Sequence, residues 1–219
     1  MEVESVQCDE IFAFVGCKEF NNKLHDPELG TQYTYLAVDR KSKLIMSHLI
    51  GKRDAKGCDA FMVDLRSRVK GRCQITTDGF QGYLGAVYDA FGANVDFARQ
   101  AKTYADYGNN PFKDERRYSV GKGCLTVKTD VHIGNPDRSL ISTSHVERTN
   151  LTVRLFQRRF TRLTLGYSKK LANLKHSVAL FIAHFNFCRV HSAHKQTPAM
   201  SAELTNHVWT IEEILNSTI

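Results

Sequence analysis

The sequence has no apolar run long enough to span a bilayer, and its acidic start (MEVE) lacks the basic residues and apolar core of a signal peptide. It contains six cysteines but no CxxC pair, which excludes a zinc ribbon and favours buried, reduced thiols. It also lacks the GK[ST] loop of P-loop NTPases. These absences predict a soluble, cytoplasmic protein with no membrane contact.

Acidic residues are missing from one long stretch of the chain. No Asp or Glu occurs between Arg148 and Met200, although this stretch holds ten Lys and Arg residues. The formal net charge is +7, so the remaining residues carry a net charge of −3. A solvated basic face would normally include acidic residues as well. The pattern therefore favours a half of the chain that binds a polyanion, above all nucleic acid.

The spacing of apolar residues predicts an α/β fold. An antiparallel meander of three strands is expected first, followed by a helix, a strand, a helix and a strand. A stretch rich in Gly, Asn, Asp and Tyr then predicts an inserted hairpin. The predicted ranges are 6–15, 33–38 and 44–50 for the meander, 55–70 and 80–91 for the helices, 73–76 and 95–98 for the later strands, and about 100–142 for the insertion.

Two long amphipathic helices are predicted to complete the chain. Their apolar stripes are Val146, Val153, Phe156, Phe160 and Leu163, and then Leu171, Leu174, Val178, Phe181, Phe185 and Cys188. The order of elements is that of an RNase H-like fold, a mixed five-stranded sheet flanked by helices. The predicted domains are a catalytic domain over 1–165 and a C-terminal helical extension over 166–219.

Asp9 lies in the middle of the first predicted strand, with apolar residues on each side. An ionised carboxylate is costly to bury unless it is paired or binds a cation, and the adjacent Glu10 is acidic as well. An edge position or a distant arginine partner is the alternative. The metal-ligand interpretation is favoured.

Asp78 and Glu147 each have a structural explanation besides a catalytic one. Asp78 precedes a glycine and a predicted helix, where Asp is common as a turn residue or an N-cap. Glu147 fits an S-x-x-E capping box that begins at Ser144. Capping does not explain the basic helix that follows, in which Arg154 and Arg158 are expected to share a face with Glu147.

Several short motifs occur in a fixed order: VQCDEIFAFV (6–15), YLAVDR (35–40), TTDG (76–79), TSHVERTN (143–150), RRFTR (158–162), FNFCRVH (185–191) and TPA (197–199). Together they resemble the insertion-sequence-one type of DDE transposase, over most of the chain. The resemblance implies an RNase H-like catalytic domain of a bacterial, nucleoid-associated enzyme. Such an enzyme cleaves DNA at the ends of the element and joins those ends to target DNA.

The resemblance also implies the site residues and partners. Its D, D, E triad falls on Asp9, Asp78 and Glu147, which would hold two Mg²⁺ (or Mn²⁺) ions. A homo-oligomer acting on paired DNA ends is implied as well. Other residues would orient the triad or hold the DNA backbone without reading sequence. They are Arg148, Asn150, Arg154, Arg158, Arg159, Arg162, Lys169, Lys170, Arg189 and His191.

The chain departs from the family in one respect. Family members commonly carry an N-terminal DNA-recognition region, whereas here the first catalytic strand starts almost at Met1. A separate end-recognition module is therefore an expected partner. The alternatives are a DNA-binding fragment of limited activity, an inhibitor of a full-length transposase, or another RNase H-like nuclease such as a junction resolvase.

Overall fold

A six-stranded mixed sheet forms the centre of the protein, in the order β3-β2-β1-β4-β5-β6. The computed structural model describes residues 1–104, 124–161 and 164–217. The strands are β1 (Ser5–Val15), β2 (Gly30–Asp39), β3 (Ile45–Gly51), β4 (Cys73–Thr77), β5 (Val95–Tyr104) and β6 (Cys124–Ile133). The helices are α1 (Ala55–Arg68), α2 (Gly82–Phe91), α3 (Ser144–Phe156), α4 (Leu171–Ala183), α5 (Pro198–Ser201) and α6 (Ile211–Asn216).

The predicted meander is confirmed, since β1 pairs antiparallel with β2, and β2 with β3. On its other side β1 pairs parallel with β4, and β4 pairs parallel with β5. The predicted α/β class and the order of the first seven elements are confirmed with it. β1 therefore lies inside the sheet, with its residues between two strands of opposite direction.

The expectation of five strands is wrong, because part of the predicted insertion extends the sheet. β5 continues to Tyr104, and β6 pairs with it antiparallel as a sixth strand. Polar residues hide this continuation in the sequence. Arg99, for example, is buried, and its guanidinium donates hydrogen bonds of 3.0 Å to Gly79 O and to Gln81 Oε1. The rest of the predicted hairpin, residues 105–123, lies outside the described residues.

The two faces of the sheet bury separate apolar clusters, as the alternation of side chains along β1 requires. Cys8 points to the face that α1 and α2 cover. Ile11 points to the opposite face, where it packs in one cluster with residues of α3 and α4 such as Val146 and Leu174. Helices on both faces keep β1 away from solvent except where the sheet is interrupted.

The first of the two long predicted helices is shorter than expected. α3 ends at Phe156, and a 3₁₀ turn follows at Arg158–Phe160. Gln157 leaves the helical conformation and exchanges hydrogen bonds with Ser177 of α4. Phe160 then reaches the core, whereas Phe156 is 59% exposed. Leu163 lies outside the described residues.

The stripe of the second helix is confirmed for Leu171, Leu174, Val178, Phe181 and Phe185, which are buried, whereas its last member, Cys188, is only half-buried. After α4 the chain makes a π turn at His184–Cys188. Asn186 in this turn exchanges hydrogen bonds with the backbone N–H and C=O of Ile45. The turn is thereby fixed to β3.

The five cysteines whose side chains are described are free thiols, as predicted. Among the described residues, we find no helix that combines the length and apolar character needed to cross a membrane.

Candidate metal centre

A gap beside β1 creates the candidate site. The parallel strand β4 ends at Thr77, which pairs with Cys8, whereas β1 runs on to Val15. The next two residues of β1 are Asp9 and Glu10, which thus lose their β4 partner. A cavity of about 710 Å³ opens at this point.

Three carboxylates converge on the end of β4. Adjacent residues of a strand point to opposite faces, so Asp9 and Glu10 approach Asp78 from opposite sides of the sheet. Asp78 follows directly after Thr77, the last residue of β4, and so lies within reach of both. One oxygen from each of the three residues lies within 4.8 Å of the others.

Asp9 is largely buried, and its environment disfavours the ionised form. Burial first, and then the charge of Asp78, raise its pKa to about 6. Asn150 of α3 donates a 2.8 Å hydrogen bond from Nδ2 to Asp9 Oδ2. This contact fixes the orientation of the Asn150 amide, because a carboxylate accepts only from the NH₂ group. Asn150 Oδ1 is buried at the cavity without a hydrogen-bond partner in the described part of the chain.

Glu10 is the site residue that the sequence argument missed. Its side chain is 2% exposed, and burial, followed by the charge of Asp78, raises its pKa to about 7. The signal was present, since Glu10 is a second acid inside an otherwise apolar strand. Period-two alternation alone assigns it to the face away from Asp9, and the sequence does not reveal the register in which β4 pairs with β1.

Arg53, just before α1, connects two of these carboxylates. It donates a 3.0 Å hydrogen bond from Nε to Glu10 and a 3.1 Å hydrogen bond from a terminal nitrogen to Asp78. Its guanidinium also lies over the ring of Phe80, 4.0 Å from the centroid. Burial lowers the pKa of Arg53, but the charges of Glu10 and Asp78 outweigh it, so the net shift is upward. Arg53 thus partly neutralises the acidic cluster.

Asp78 is a turn residue, as the sequence suggested, but it is not an N-cap. Its Oδ1 accepts a 2.9 Å hydrogen bond from the backbone N–H of Phe80. α2 begins only at Gly82, with Gln81 as its N-cap. The turn leaves Oδ2 facing Arg53 and the cavity.

The expected capping box at the start of α3 is absent, because Ser144 is the first helical residue and not the N-cap. Gln7 of β1 takes over this role. Its Oε1 accepts hydrogen bonds from the backbone N–H groups of His145, at 2.8 Å, and Val146, at 3.2 Å. The carboxylate of Glu147 is therefore not needed to cap its helix.

Glu147 also lines the cavity but does not belong to the three-carboxylate cluster. Its Oε1 accepts a 2.7 Å hydrogen bond from Thr143 Oγ1 and a 2.5 Å hydrogen bond from Lys102 Nζ. Its charge still contributes to the raised pKa of Asp9. The expected triad is thus gathered around one cavity, with Asp9 and Asp78 close together and Glu147 held by Lys102.

The expected DNA contacts are distributed unevenly around this cavity. Asn150 and Arg154 line it, whereas Arg158 does not, because α3 ends before that residue. Arg148 is exposed on another side of α3. The remaining residues do not line the cavity. Arg159 donates a hydrogen bond to Ser168 Oγ, Lys169 lies over the Tyr167 ring, and Lys170 directly precedes α4. Arg189 lies over the Phe156 ring, the backbone of His191 pairs with Gln196, and Arg162 is outside the described residues.

The chemistry of the donors suits a hard divalent cation. Carboxylate and amide oxygens are the ligands that Mg²⁺, Mn²⁺ and Ca²⁺ prefer. Asp9, Glu10 and Asp78 offer converging carboxylates, and Asn150 adds a buried amide oxygen that lacks a donor in the described part of the chain. The acidic cluster could therefore hold a metal ion.

No protein-family model matches the chain, and no curated protein sequence matches it either.

Proposed function

We propose that the chain is the catalytic domain of a DDE transposase, which cleaves DNA phosphodiester bonds and transfers the resulting ends to target DNA. One observation carries the proposal. Asp9 and Asp78, from neighbouring parallel strands, converge at a cavity that is also lined by Glu147 and Arg154. A cation held by carboxylates beside an arginine suits a phosphodiester substrate, whose negative charge increases during displacement at phosphorus.

The sheet supports the RNase H-like assignment. An antiparallel three-stranded meander, a helix, a parallel strand, a second helix and a further parallel strand follow one another as the family resemblance implies. The first acid lies on the central strand β1, the second follows the neighbouring strand β4, and the third lies on the later helix α3. This placement brings residues far apart in sequence to one edge of the sheet.

Mg²⁺ or Mn²⁺ would be held by Asp9 and Asp78, together with Glu10 or Glu147. When bound, such ions activate a water or a 3′-hydroxyl group and stabilise the leaving oxygen. The protein's own groups have positioning roles. Asn150 orients the carboxylate of Asp9, and Arg154 is placed to hold a phosphate of the DNA backbone.

DNA, in the form of element ends and target duplex, is the proposed substrate and partner. A homo-oligomer on DNA and a separate end-recognition module belong to the same proposal. A junction resolvase would share the carboxylates without strand transfer. A DNA-binding inhibitor would bind DNA without cleaving it.

The experiment that tests the proposal is a nicking and joining assay on labelled duplex and supercoiled plasmid, with Mg²⁺, with Mn²⁺ and with EDTA. Asp78→Asn is the test variant, and Asp89→Asn, an exposed position on α2, is the matched control. We expect metal-dependent cleavage in the wild type and the control, and its loss in Asp78→Asn. Equal activity in all three proteins would reject the site. Cleavage without joining favours the resolvase, and binding without cleavage favours the inhibitor.

A further inference from the structure

A second group of basic side chains lies on the side of α3 that faces away from the cavity. Its members come from the turn between β2 and β3, from the first turn of α3, and from the loop after the π turn. We call them the cationic cluster: Arg40, Lys43, His145, Arg148, Arg189 and His191. Its charged members are Arg40, Lys43, Arg148 and Arg189, because burial, followed by neighbouring basic groups, lowers the pKa of the two histidine rings.

Direct contacts and mutual charge effects define the cationic cluster. Lys43 Nζ lies 3.4 Å from His145 Nε2, which joins the β2–β3 turn to α3. Burial, followed by the charges of His194, Lys43, Arg189 and Arg148, lowers the pKa of His191. Three segments that are distant in sequence therefore place like charges together.

The cationic cluster is supported by rigid neighbours. The Arg189 guanidinium lies 4.3 Å from the centroid of the Phe156 ring, at the end of α3. The His191 ring packs beside that of His194, with 5.5 Å between centroids. His191 is also fixed by its backbone pairing with Gln196.

Two carboxylates lie near the cationic cluster, but their oxygens accept hydrogen bonds from other groups. The charge of Asp39 acts against the lowering of the Lys43 pKa. Hydrogen bonds from Ser139 lower the pKa of Asp137, and the charge of Arg40 adds to this effect. The Asp39 carboxylate accepts hydrogen bonds from the N–H and hydroxyl groups of Ser42, and the Asp137 carboxylate accepts one from a backbone N–H. Within the described ranges, no member of the cationic cluster forms an ion pair with a carboxylate. Burial, followed by the charge of Arg40, lowers the pKa of Lys43.

Helix geometry separates the cationic cluster from the metal centre. At 3.6 residues per turn, Glu147, Asn150 and Arg154 fall within about 60° of one another around α3. His145 and Arg148 lie about 100–160° away from Glu147. The 13 residues of α3 span about 20 Å, which equals the rise of about six base pairs along a duplex.

We propose that the cationic cluster is a separate binding site for the phosphate backbone of duplex DNA, outside the catalytic cavity. The inference rests on the proposed function in so far as DNA is the substrate. Like charges from three segments, without ion-pair partners, are stabilised when an anion of high charge density binds between them. Arg and Lys side chains bind such phosphates without reading sequence.

The test measures duplex binding by fluorescence anisotropy in EDTA over a range of salt concentrations. The full chain carries Arg40→Gln with Lys43→Gln, and the matched control carries Lys23→Gln with Lys175→Gln, both exposed lysines outside the cationic cluster. Each lost phosphate contact reduces the slope of log K against log salt by about 0.9. We expect the slope to fall by about two in the test pair and to stay near the wild-type value in the control pair.

Equal slopes in the two pairs would overturn the inference. If the Arg40/Lys43 pair melts at a lower temperature than wild type, Arg148→Gln provides the decisive comparison, because this exposed side chain has no packing role. Its slope should fall by about 0.9. Binding to anionic lipid vesicles without duplex binding would also overturn the inference. Binding is measured without metal, so loss of cleavage leaves this result intact and rejects only the proposed function.

Discussion

The side-chain amide of Asn150 donates a 2.8 Å hydrogen bond to the carboxylate of Asp9, although 141 residues separate them in sequence. The contact joins the middle strand of the sheet to α3, which also carries Glu147. Both partners are largely buried, so solvent screens the interaction only weakly. It is therefore a contact on which both stability and the geometry of the candidate metal centre depend.

Removal of this contact should destabilise the protein. In Asn150→Ala, Asp9 loses its hydrogen-bond donor, and a small cavity forms beside it. We expect the free energy of unfolding to fall by about 1–3 kcal/mol, measured by urea denaturation at neutral pH in EDTA. Asn216→Ala, at the exposed end of α6, is the control. Equal stability of the two variants would show that the contact carries no stabilisation.

The buried carboxylates predict an unusual pH dependence of stability. The folded-state pKa of Asp9, about 6, is above the ordinary value of 3.8 for this group, so the folded state binds the proton more tightly. Its contribution therefore favours folding at low pH, and this contribution is lost as pH rises through about 6. The pKa of Glu10, about 7, is also above its ordinary value of 4.5, so Glu10 acts with the same sign.

The measurement compares wild type with Asp9→Asn by urea denaturation between about pH 4 and pH 8 in EDTA. The stability of Asp9→Asn relative to wild type should increase with pH, by an amount on the order of 1–3 kcal/mol. Asp64→Asn serves as the opposite control, because Arg68 lowers the pKa of Asp64. A pH-independent difference between wild type and Asp9→Asn would contradict the assigned burial.

Substitution of Arg53 should separate stability from metal affinity. Without metal, Arg53→Gln leaves Glu10 and Asp78 without their shared cation, so the melting temperature in EDTA should fall. The same change removes a positive charge from the metal centre, so divalent ions should bind more tightly. Calorimetric melting with and without Mn²⁺ should show a larger metal-induced increase than in wild type.

Arg68→Gln is the control for Arg53, because it breaks an exposed ion pair with Asp64 on α1, away from the cavity. Its metal-induced increase in melting temperature should equal that of wild type. A smaller increase in Arg53→Gln than in wild type would mean that Arg53 does not compete with the cation.

Glu10 and Glu147 should contribute differently to the metal centre. Glu10 belongs to the convergent carboxylate cluster, whereas Glu147 is engaged by Lys102. In the absence of DNA, Glu10→Gln should weaken Mn²⁺ binding by about 10–100-fold, and Glu147→Gln should weaken it less. In the nicking assay, Glu147→Gln should abolish cleavage. Calorimetric Mn²⁺ titration measures the loss of affinity in each variant. A larger loss in Glu147→Gln than in Glu10→Gln would make Glu147, and not Glu10, the third ligand.

The structure could be predicted from the sequence where a local pattern of residues determines it. The apolar environment of Asp9 predicted its burial, and the repeats of three and four residues predicted α4. The register of β4 against β1, the partners of Arg53 and the sixth strand could not be predicted. Each depends on contacts between distant segments, and the side chains involved are polar, so their hydrophobic pattern gives no signal.

The role of Glu147 shows how a local motif can mislead. Ser144 and Glu147 have the spacing of a capping box, but a buried side chain of β1 already satisfies the first N–H groups of α3. Gln7, from a distant part of the chain, thus caps α3 in place of the neighbouring Ser144 and Glu147. Capping statistics describe a helix in isolation, and α3 is not isolated.

The contact between Gln7 and the start of α3 implies an order in which the parts of the acidic site assemble. Because Gln7 satisfies the first N–H groups of α3, that helix gains its full stability only after β1 is in place. During synthesis, β1 and β4 emerge from the ribosome long before α3 does. A nascent chain can therefore form the sheet while Glu147 and Asn150 are still missing from the cavity. The cavity therefore gains Glu147 and Asn150 only when α3 has been made and has packed against β1.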